Sequence, residues 1–486
     1  MKKSLFTLSL LASIVAFNSH AVRMGEDVSE DEYSDYIVRF EAHDGKGTTT
    51  CGGLLIAGEY ILTAAHCVGD QRRENLTWVY DWWIDAGASN NIKVYQGTAF
   101  NAPKTTTTTY QVLNLLKEDA DYALLYQEAR AEYEYLKAQN PSFEWSRQDN
   151  RFQSDSFRGA NFHDIALIKL ATAVSQTSHA AITPAFDRTT QTFNAQANQR
   201  MLFKGWGRDE TGQKPQTMQK VYLNWLTKPP EWATGTMISD VNYIPNFLRY
   251  QAQLEETLER CSAADITRNC IYGYYDFTAL VPDVKGATPD TGDSGTPLEL
   301  EPNKIIALAI RTVSYTGTPE FSQFTHLGWY LPHIASKINA ITAPKQLDFV
   351  VEVESEEVIV PPMTTTFAVQ NLTDIDQTLA PYLVGAVNET VSGCDTTLKP
   401  TQSCEITVTF EGANQATLHL GDNSDTSLPI SLSVEVKADD EDQGNNNGDN
   451  NNNGGDNSTS GGSGGGGSMG FWSLLLGVVL CLRKRQ

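Results

Sequence analysis

At 486 residues the chain is long enough for two or three domains, and a hydrophobic content of 40% is ordinary for a protein that buries cores. Lysine and arginine number 36 against 59 aspartates and glutamates, a formal net charge of -23. That balance excludes a phosphate-backbone partner and describes a soluble, self-repelling surface, so no nucleic-acid role is expected.

The chain opens with Met1-Lys2-Lys3, an apolar run from Leu5 to Phe17, and Ser19-His20-Ala21. A basic end, an apolar stretch and small residues before a cut predict a secretory signal peptide over residues 1–21. The alternative is a membrane anchor, but the run is too short to cross a bilayer. Export permits disulfides. The seven cysteines are Cys51, Cys67, Cys261, Cys270, Cys394, Cys404 and Cys481. Six fall into three close pairs and the last sits in an apolar tail, which reads as three local disulfides and one odd thiol, with other connectivities open. No His/Cys group has zinc spacing, so neither a metal nor another cofactor is expected.

Strand-like text comes next in Tyr36-Ile37-Val38-Arg39-Phe40, Cys51-Gly52-Gly53-Leu54-Leu55-Ile56 and Tyr60-Ile61-Leu62-Thr63, consecutive antiparallel strands of a barrel that lead into Ala64-Ala65-His66-Cys67. From Lys117 to Gln139 the residues Tyr122, Leu125, Tyr126, Ala129, Tyr133 and Leu136 recur at helical spacing. The spacing predicts an amphipathic helix packed on the barrel, with a substrate-shaping lid or partner surface as the sharper alternative. Then come His163-Asp164-Ile165-Ala166-Leu167-Ile168-Lys169-Leu170, Met201 to Arg208 containing Gly205-Trp206-Gly207, and Thr291-Gly292-Asp293-Ser294-Gly295-Thr296-Pro297. Apolar strands are expected at Ile305 to Ile310 and Phe321 to Trp329. A helix from Leu331 to Ile341 would place Leu331, Ile334, Ile338 and Ile341 on one face.

Gly-Asp-Ser-Gly alone is ordinary turn chemistry. With the histidine and aspartate segments before it, the chain holds a base, a carboxylate and a nucleophile in the order His66, Asp164, Ser294. On that order, the Cys51 and Cys67 bracket and Gly205-Trp206-Gly207, residues 24–345 resemble the chymotrypsin (trypsin-like) serine peptidases. The resemblance implies an all-β fold of two antiparallel six-stranded barrels with the site between them. His66 and Asp164 stand 98 residues apart (164 − 66), more than the family needs, so an insertion at about 100–155 is implied. It holds a rival carboxylate in Asp121-Tyr122-Ala123-Leu124-Leu125. Asp164 is preferred because it precedes a strand-like run and because Gly205-Trp206-Gly207 then falls at the family's distance.

The same resemblance implies a mechanism. A serine hydroxyl is a poor nucleophile at neutral pH, so His66 takes its proton, Asp164 holds the imidazole in the right tautomer, and an acyl-enzyme forms on Ser294. The backbone N–H groups of Gly292 and Ser294 receive the developing oxyanion. Cleavage after Arg23 would remove a short propeptide, residues 22–23, and free a Met24 ammonium to pair with Asp293, as in a zymogen. Met24 lies 42 residues before the histidine (66 − 24), near the family's interval. Met in place of Ile or Val, and Glu26-Asp27 after Gly25, depart from the pattern, and an unprocessed leader is the alternative. Cys51 with Cys67 would staple the histidine's turn, and Cys261 with Cys270 resembles a family disulfide with a shorter loop. The specificity pocket maps to Thr288, Ser314, Thr316 and Ser322, pointing to small or medium side chains, while Asp290 stands where a cysteine is usual and a swing of its carboxylate would restore a basic preference. Thr296 replaces a usual glycine.

Residues 348–437 are rich in Thr and Val in short alternating runs, which predicts a small β-sandwich of immunoglobulin type with Cys394 and Cys404 stapling a hairpin. Residues 438–468 are Asp, Asn, Gly and Ser, a flexible linker. Asp449 to Gly454 faintly resembles a calcium loop, but residue 460 is serine and no metal is assigned. Residues 469–486 are a short apolar segment ending in Arg483-Lys484-Arg485. This tail resembles the bacterial GlyGly-CTERM sorting signal, which implies transient membrane contact, a rhomboid-like sorting peptidase and type II secretion as partners, and a place outside or on the surface of a Gram-negative bacterium. A permanent weak anchor is the alternative. The functional expectation is a secreted serine endopeptidase acting on proteins or peptides. A catalytically silent homologue serving as a surface binding protein is the rival, and an esterase of α/β-hydrolase type is disfavoured because the histidine comes first.

Overall fold

The computed structural model describes residues 22–74, 77–115, 164–187, 192–225, 278–283, 286–313, 321–328, 330–353, 363–385, 390–410, 416–421 and 427–436. The expected signal peptide, the helix over 117–139 with Asp121, the pair Cys261 and Cys270, Ser314, Thr316, the linker and the apolar tail with Cys481 lie outside these residues. Among the described residues no helix is long and apolar enough to cross a membrane.

Six strands form a closed antiparallel barrel: Ile37–His43 (β1), Thr48–Ile56 (β2), Tyr60–Thr63 (β3), Asn91–Gln96 (β4), Lys104–Leu113 (β5) and Ala166–Leu170 (β6), paired in the order β1-β2-β3-β6-β5-β4. The first three contain most of the expected strand text, with β1 running on to His43 and β2 starting earlier at Thr48. The predominance of apolar residues at 37–40, 51–56 and 60–63 has a direct cause. Successive side chains point to opposite faces of a strand, so a strand with both faces covered cannot alternate with polar residues. Val38, Phe40, Leu55, Ile61, Val94 and Ile168 share one core, whereas their neighbours Ile37, Leu54, Leu62 and Leu167 join Ile305, Leu308 and Ile334 in another.

A second ring is made by Arg200–Gly205 (β7), Gln219–Asn224 (β8), Thr278–Pro282 (β9), Pro297–Glu301 (β10), Lys304–Val313 (β11) and Phe321–His326 (β12). The order is β8-β7-β10-β11-β12-β9, and β9 pairs back onto β8, so the two expected six-stranded barrels are both present. Phe203 and Phe324 meet edge to face inside it, with ring centroids 5.9 Å apart. Unlike the first barrel it is irregular: the β10–β11 register shifts twice and β11–β12 shifts between Ala309 and Arg311.

The closing helix, Leu331–Ile338 (α1), buries Leu331, Ile334, Ala335 and Ile338 against the core shared by the barrels. It stops short of the expected Ile341. Asn339 turns left-handed (φ 46°) and donates its N–H to the Ala335 carbonyl, ending the helix, and Ile341 begins a strand, Ile341–Thr342.

A buried polar clasp also joins the barrels. Tyr36 Oη donates to Glu299 Oε1 at 2.8 Å, and Lys204 Nζ lies 3.3 Å from Glu299 Oε2. Residues 341–436 add two four-stranded sheets around one core that includes Phe367, Val369, Leu379, Ile406 and Leu418, with a Cys394–Cys404 disulfide. They are hydrogen-bonded to the segment that links the two barrels. Ala368 N–H donates to the His179 carbonyl (3.0 Å), and the Gln370 side chain both donates to Ile182 O (2.9 Å) and accepts from Ile182 N–H (3.0 Å).

Candidate active site

His66 sits in a single 3-10 turn, Ala65–Cys67, immediately after β3. The turn is tied down on both sides: Ala65 and Cys67 are fully buried, and Cys67 is disulfide-bonded to Cys51 of β2. Asp164 stands two residues before β6, the strand that pairs with β3, so strand pairing alone carries it to the histidine across 98 residues of chain. Its fully buried carboxylate accepts the His66 backbone N–H at 3.0 Å and lies 2.7 Å from Nδ1. Nδ1 therefore carries the hydrogen and Nε2 is left as the acceptor. Burial pulls the imidazole pKa down, but the charge and hydrogen bond of Asp164 outweigh it, and the net position is above the ordinary 6.5. Arg311 acts in the opposite sense.

Ser294 comes from the second barrel, in the turn before β10. Its carbonyl accepts Gly52 N–H at 2.8 Å and lies 3.7 Å from Cys67 Sγ, so the serine's own backbone abuts the disulfide that holds His66. Gly295 (φ +82°) permits this approach: a Cβ there would stand 2.0 Å from Thr63 Oγ1 and 2.9 Å from Ala64 N. The Ser294 hydroxyl donates to the Ile310 carbonyl at 3.4 Å. On either side, the N–H groups of Asp293 and Gly295 are engaged by Asp290 O and Ala309 O. Those of Gly292 and Ser294 have no acceptor among the described residues. Gly292 has φ +104°, a conformation costly for any residue with a Cβ.

Thr296 is accommodated by its neighbour in space. It is fully buried, and a Cβ on Gly52 would lie 1.8 Å from its Oγ1, so the missing side chain at 52 makes room for the extra one at 296.

Arg23, Met24 and Asp293 are close in the fold but not paired as expected of a cut chain. With the 23–24 peptide bond intact, Arg23 Nε meets Asp290 Oδ2 at 2.7 Å, Val22 is fully buried, Met24 is 53% exposed and its amide donates to Glu210 Oε2 at 3.4 Å. Asp293 is buried and accepts Gly207 N–H (2.6 Å) and Asp290 N–H (2.9 Å). Burial pushes its carboxyl up to about 7, against the Asp290 amide and the charge of Lys214.

Among the expected pocket residues, Thr288 and Ser322 are buried, and their hydroxyls have no hydrogen-bond partner among the described residues. Ser314 and Thr316 lie outside the described residues. Two residues that no motif singles out occupy the neighbourhood. Thr312 stands directly opposite Ser322 in the β11–β12 pair, and its hydroxyl donates to the carbonyl of Pro289, next to Thr288. Arg311, one residue beyond the carbonyl that holds the Ser294 hydroxyl, donates Nε to Gln323 Oε1 at 2.5 Å. The register shift at Ala309/Arg311 decides which side chains of β11 face the site, and no spelling of the strand announces a shift. Cys51, His66 and Cys67 bring potential metal ligands within 4.8 Å of one another, but the two sulfurs are bonded to each other and are not free to ligate.

Residues 23–138 match the model of the trypsin family. Among solved structures, the chain is similar to a secreted serine protease, VesC, from Vibrio cholerae, at 14% identity and a TM-score of 0.33, over 84% of this chain and 71% of that one. It is also similar to HL collagenase (16% identity, TM-score 0.34, 65% of this chain and 98% of that one) and to neuropsin, a serine protease expressed in the limbic system of mouse brain (15%, 0.33, 65% and 100%). No curated protein matches the chain.

Proposed function

We propose that this chain is a secreted serine endopeptidase that hydrolyses peptide bonds through Ser294, His66 and Asp164. The observation that carries the reading is the pairing of a buried carboxylate with Nδ1 of His66 at 2.7 Å, beside a serine turn that leaves the N–H groups of Gly292 and Ser294 unengaged among the described residues. A base whose far nitrogen is free to accept, a hydroxyl, and two unspent donors are what acyl transfer needs. Nε2 of His66 takes the Ser294 proton as Oγ attacks the carbonyl carbon, and the two amides receive the charge that moves onto the carbonyl oxygen. The same imidazolium then protonates the leaving amine, and water hydrolyses the ester.

The pocket reading is that side chains at Thr288, Ser314, Thr316 and Ser322 narrow it toward small or medium residues; the buried Thr288 and Ser322, with Thr312 opposite Ser322, support it. Cleavage after Arg23 is the activation step in this reading, and it requires Val22 to leave its buried position. The immunoglobulin-type character of residues 348–437, export of the chain, and trimming of its tail by a rhomboid-like peptidase in a Gram-negative bacterium complete the proposal.

One observation favours a second reading, a silent homologue that binds rather than cuts: the Ser294 hydroxyl is turned to Ile310 O. Catalytic hydrogen bonds often form only once substrate is present, so this weighs less than the His66–Asp164 pair. A fluorophosphonate probe decides between them. Covalent labelling of the processed protein at Ser294, absent in Ser294→Ala, supports the peptidase. Absence of labelling after verified removal of residues 1–23 supports the binding protein.

A further inference from the structure

Asp293 presents a problem of charge in the uncut chain. Its carboxylate is 1% exposed and is wedged against Gly205 and Gly207, where a Cβ at either position would lie 2.1 Å from one of its oxygens. Two backbone amides satisfy it, yet two neutral donors do not neutralise a buried charge, which is stable only when paired. Before cleavage the Met24 nitrogen is an amide facing Glu210, not a cation facing Asp293.

Lys214 stands at this point. Its Nζ donates to the carbonyl of Trp206 at 3.4 Å and to that of Thr291 at 3.3 Å. Those two residues directly precede Gly207, whose amide holds Asp293, and Gly292, whose amide faces the proposed oxyanion. The ammonium occupies the space beside Gly292, 2.2 Å from where a Cβ would be. It is half-buried, so its charge is less screened than that of a surface lysine. Burial pushes the Asp293 carboxyl up and the Lys214 ammonium down, and each group's charge opposes that shift in the other.

We infer that Lys214 is a positioning residue that sets the Gly292-Asp293-Ser294 turn before any cleavage, supplying the counter-charge for Asp293 and tying the Trp206 and Thr291 carbonyls together, so that the uncut chain can already be acylated. The inference rests on the peptidase reading above. Cleavage after Arg23 then adds a second cation to a turn that is already formed, and the gain on processing is modest.

The test uses the full chain in five forms: Arg23→Gln, which resists cutting; the same chain with Lys214→Gln; with Lys214→Arg; and the processed protein with and without Lys214→Gln. Fluorophosphonate labelling rates at Ser294 are compared, with each form's thermal midpoint measured to identify loss of fold. The uncut Arg23→Gln chain is expected to label within about tenfold of the processed protein. Lys214→Gln lowers the uncut rate by about 100-fold, the scale of losing one oxyanion donor. Lys214→Arg restores most of it, and Lys214→Gln in the processed protein costs less than about threefold, because the Met24 ammonium replaces the lost charge. An uncut chain that does not label while the processed one does overturns the inference, as does an equal loss in both forms on Lys214→Gln. If the processed wild-type chain fails to label, the peptidase reading falls and the inference with it.

Discussion

The two barrels contribute unequally to the site, and the inequality is physical. The first closes without a register shift in its described pairings and carries His66 and Asp164 on a disulfide-braced turn and a strand start. The second carries Ser294 on a left-handed glycine turn between strands whose register slips three times. A regular barrel holds a base and its orienting carboxylate at one fixed separation. An irregular one frees backbone N–H groups from the ladder and aims them elsewhere. The price of that freedom is carried by buried polar groups on the second side, Thr288, Thr296 and Ser322, whose hydroxyls lack partners among the described residues.

The largest effect should come from the regular side. Asp164→Asn leaves the barrel intact but supplies the wrong hydrogen to Nδ1, and acylation is expected to fall about 10⁴-fold, read as the rate of fluorophosphonate labelling or peptide hydrolysis. Retention of more than about a tenth of the rate would end the claim that the first barrel supplies the base.

Next in size is the clasp that couples the barrels. Glu299→Leu strands the Lys204 ammonium and Tyr36 hydroxyl in the core, and a loss of about 3–5 kcal/mol is expected from urea unfolding. Adding Lys204→Met should return most of it, because the cost lies in the unpaired charge more than in the missing bond.

The contact between Gly52 and Thr296 comes third. Gly52→Ala overpacks the junction and should cost about 1–3 kcal/mol, whereas Gly52→Ala with Thr296→Gly should be nearly neutral. Additive losses in the double variant would mean that Thr296 is not housed by Gly52.

The smallest effects are those of pH. His66 must be neutral to take a proton, and its pKa is held above 6.5, so labelling should rise about tenfold per pH unit and level off above an apparent pKa higher than 6.5. Asp164→Asn should move that midpoint down, since burial then acts without its opponent. Stability runs the other way: a raised histidine pKa contributes fully below 6.5 and is lost as pH climbs through the folded value. Asp293, raised to about 7, acts in the same direction. The folded chain holds its proton where the unfolded chain has released it, so stability declines between about 4 and 7. Asp293→Asn should flatten that decline in pH-dependent urea titrations.

Much of this was legible in the residues themselves. Strand segments at 37–40, 51–56 and 60–63 were readable because a doubly covered strand is mostly apolar, whereas the polar extensions at 41–43 and 48–50 were not; Leu331–Ile338 was readable because its buried positions recur at helical spacing. The helix end was not, since Asn339 stops it through a backbone conformation rather than a break in pattern. His66 and Ser294 were identifiable from their flanking glycine, alanine and cysteine residues. The strand-like run Ala166–Leu170 distinguishes Asp164 from its rival Asp121, and the structure places Asp164 on Nδ1 of His66.

The sequence by itself determined which chemistry-bearing residues exist, where the strands run and which cysteines lie near each other, because these depend on side-chain type and short-range periodicity. Tertiary structure alone decided that Arg311 and Thr312 lie near the site, that Gly52 houses Thr296, and that Lys214 stands beside Gly292. Each of these depends on register or on an encounter between segments tens to hundreds of residues apart, and a strand shifted by one residue presents its other face.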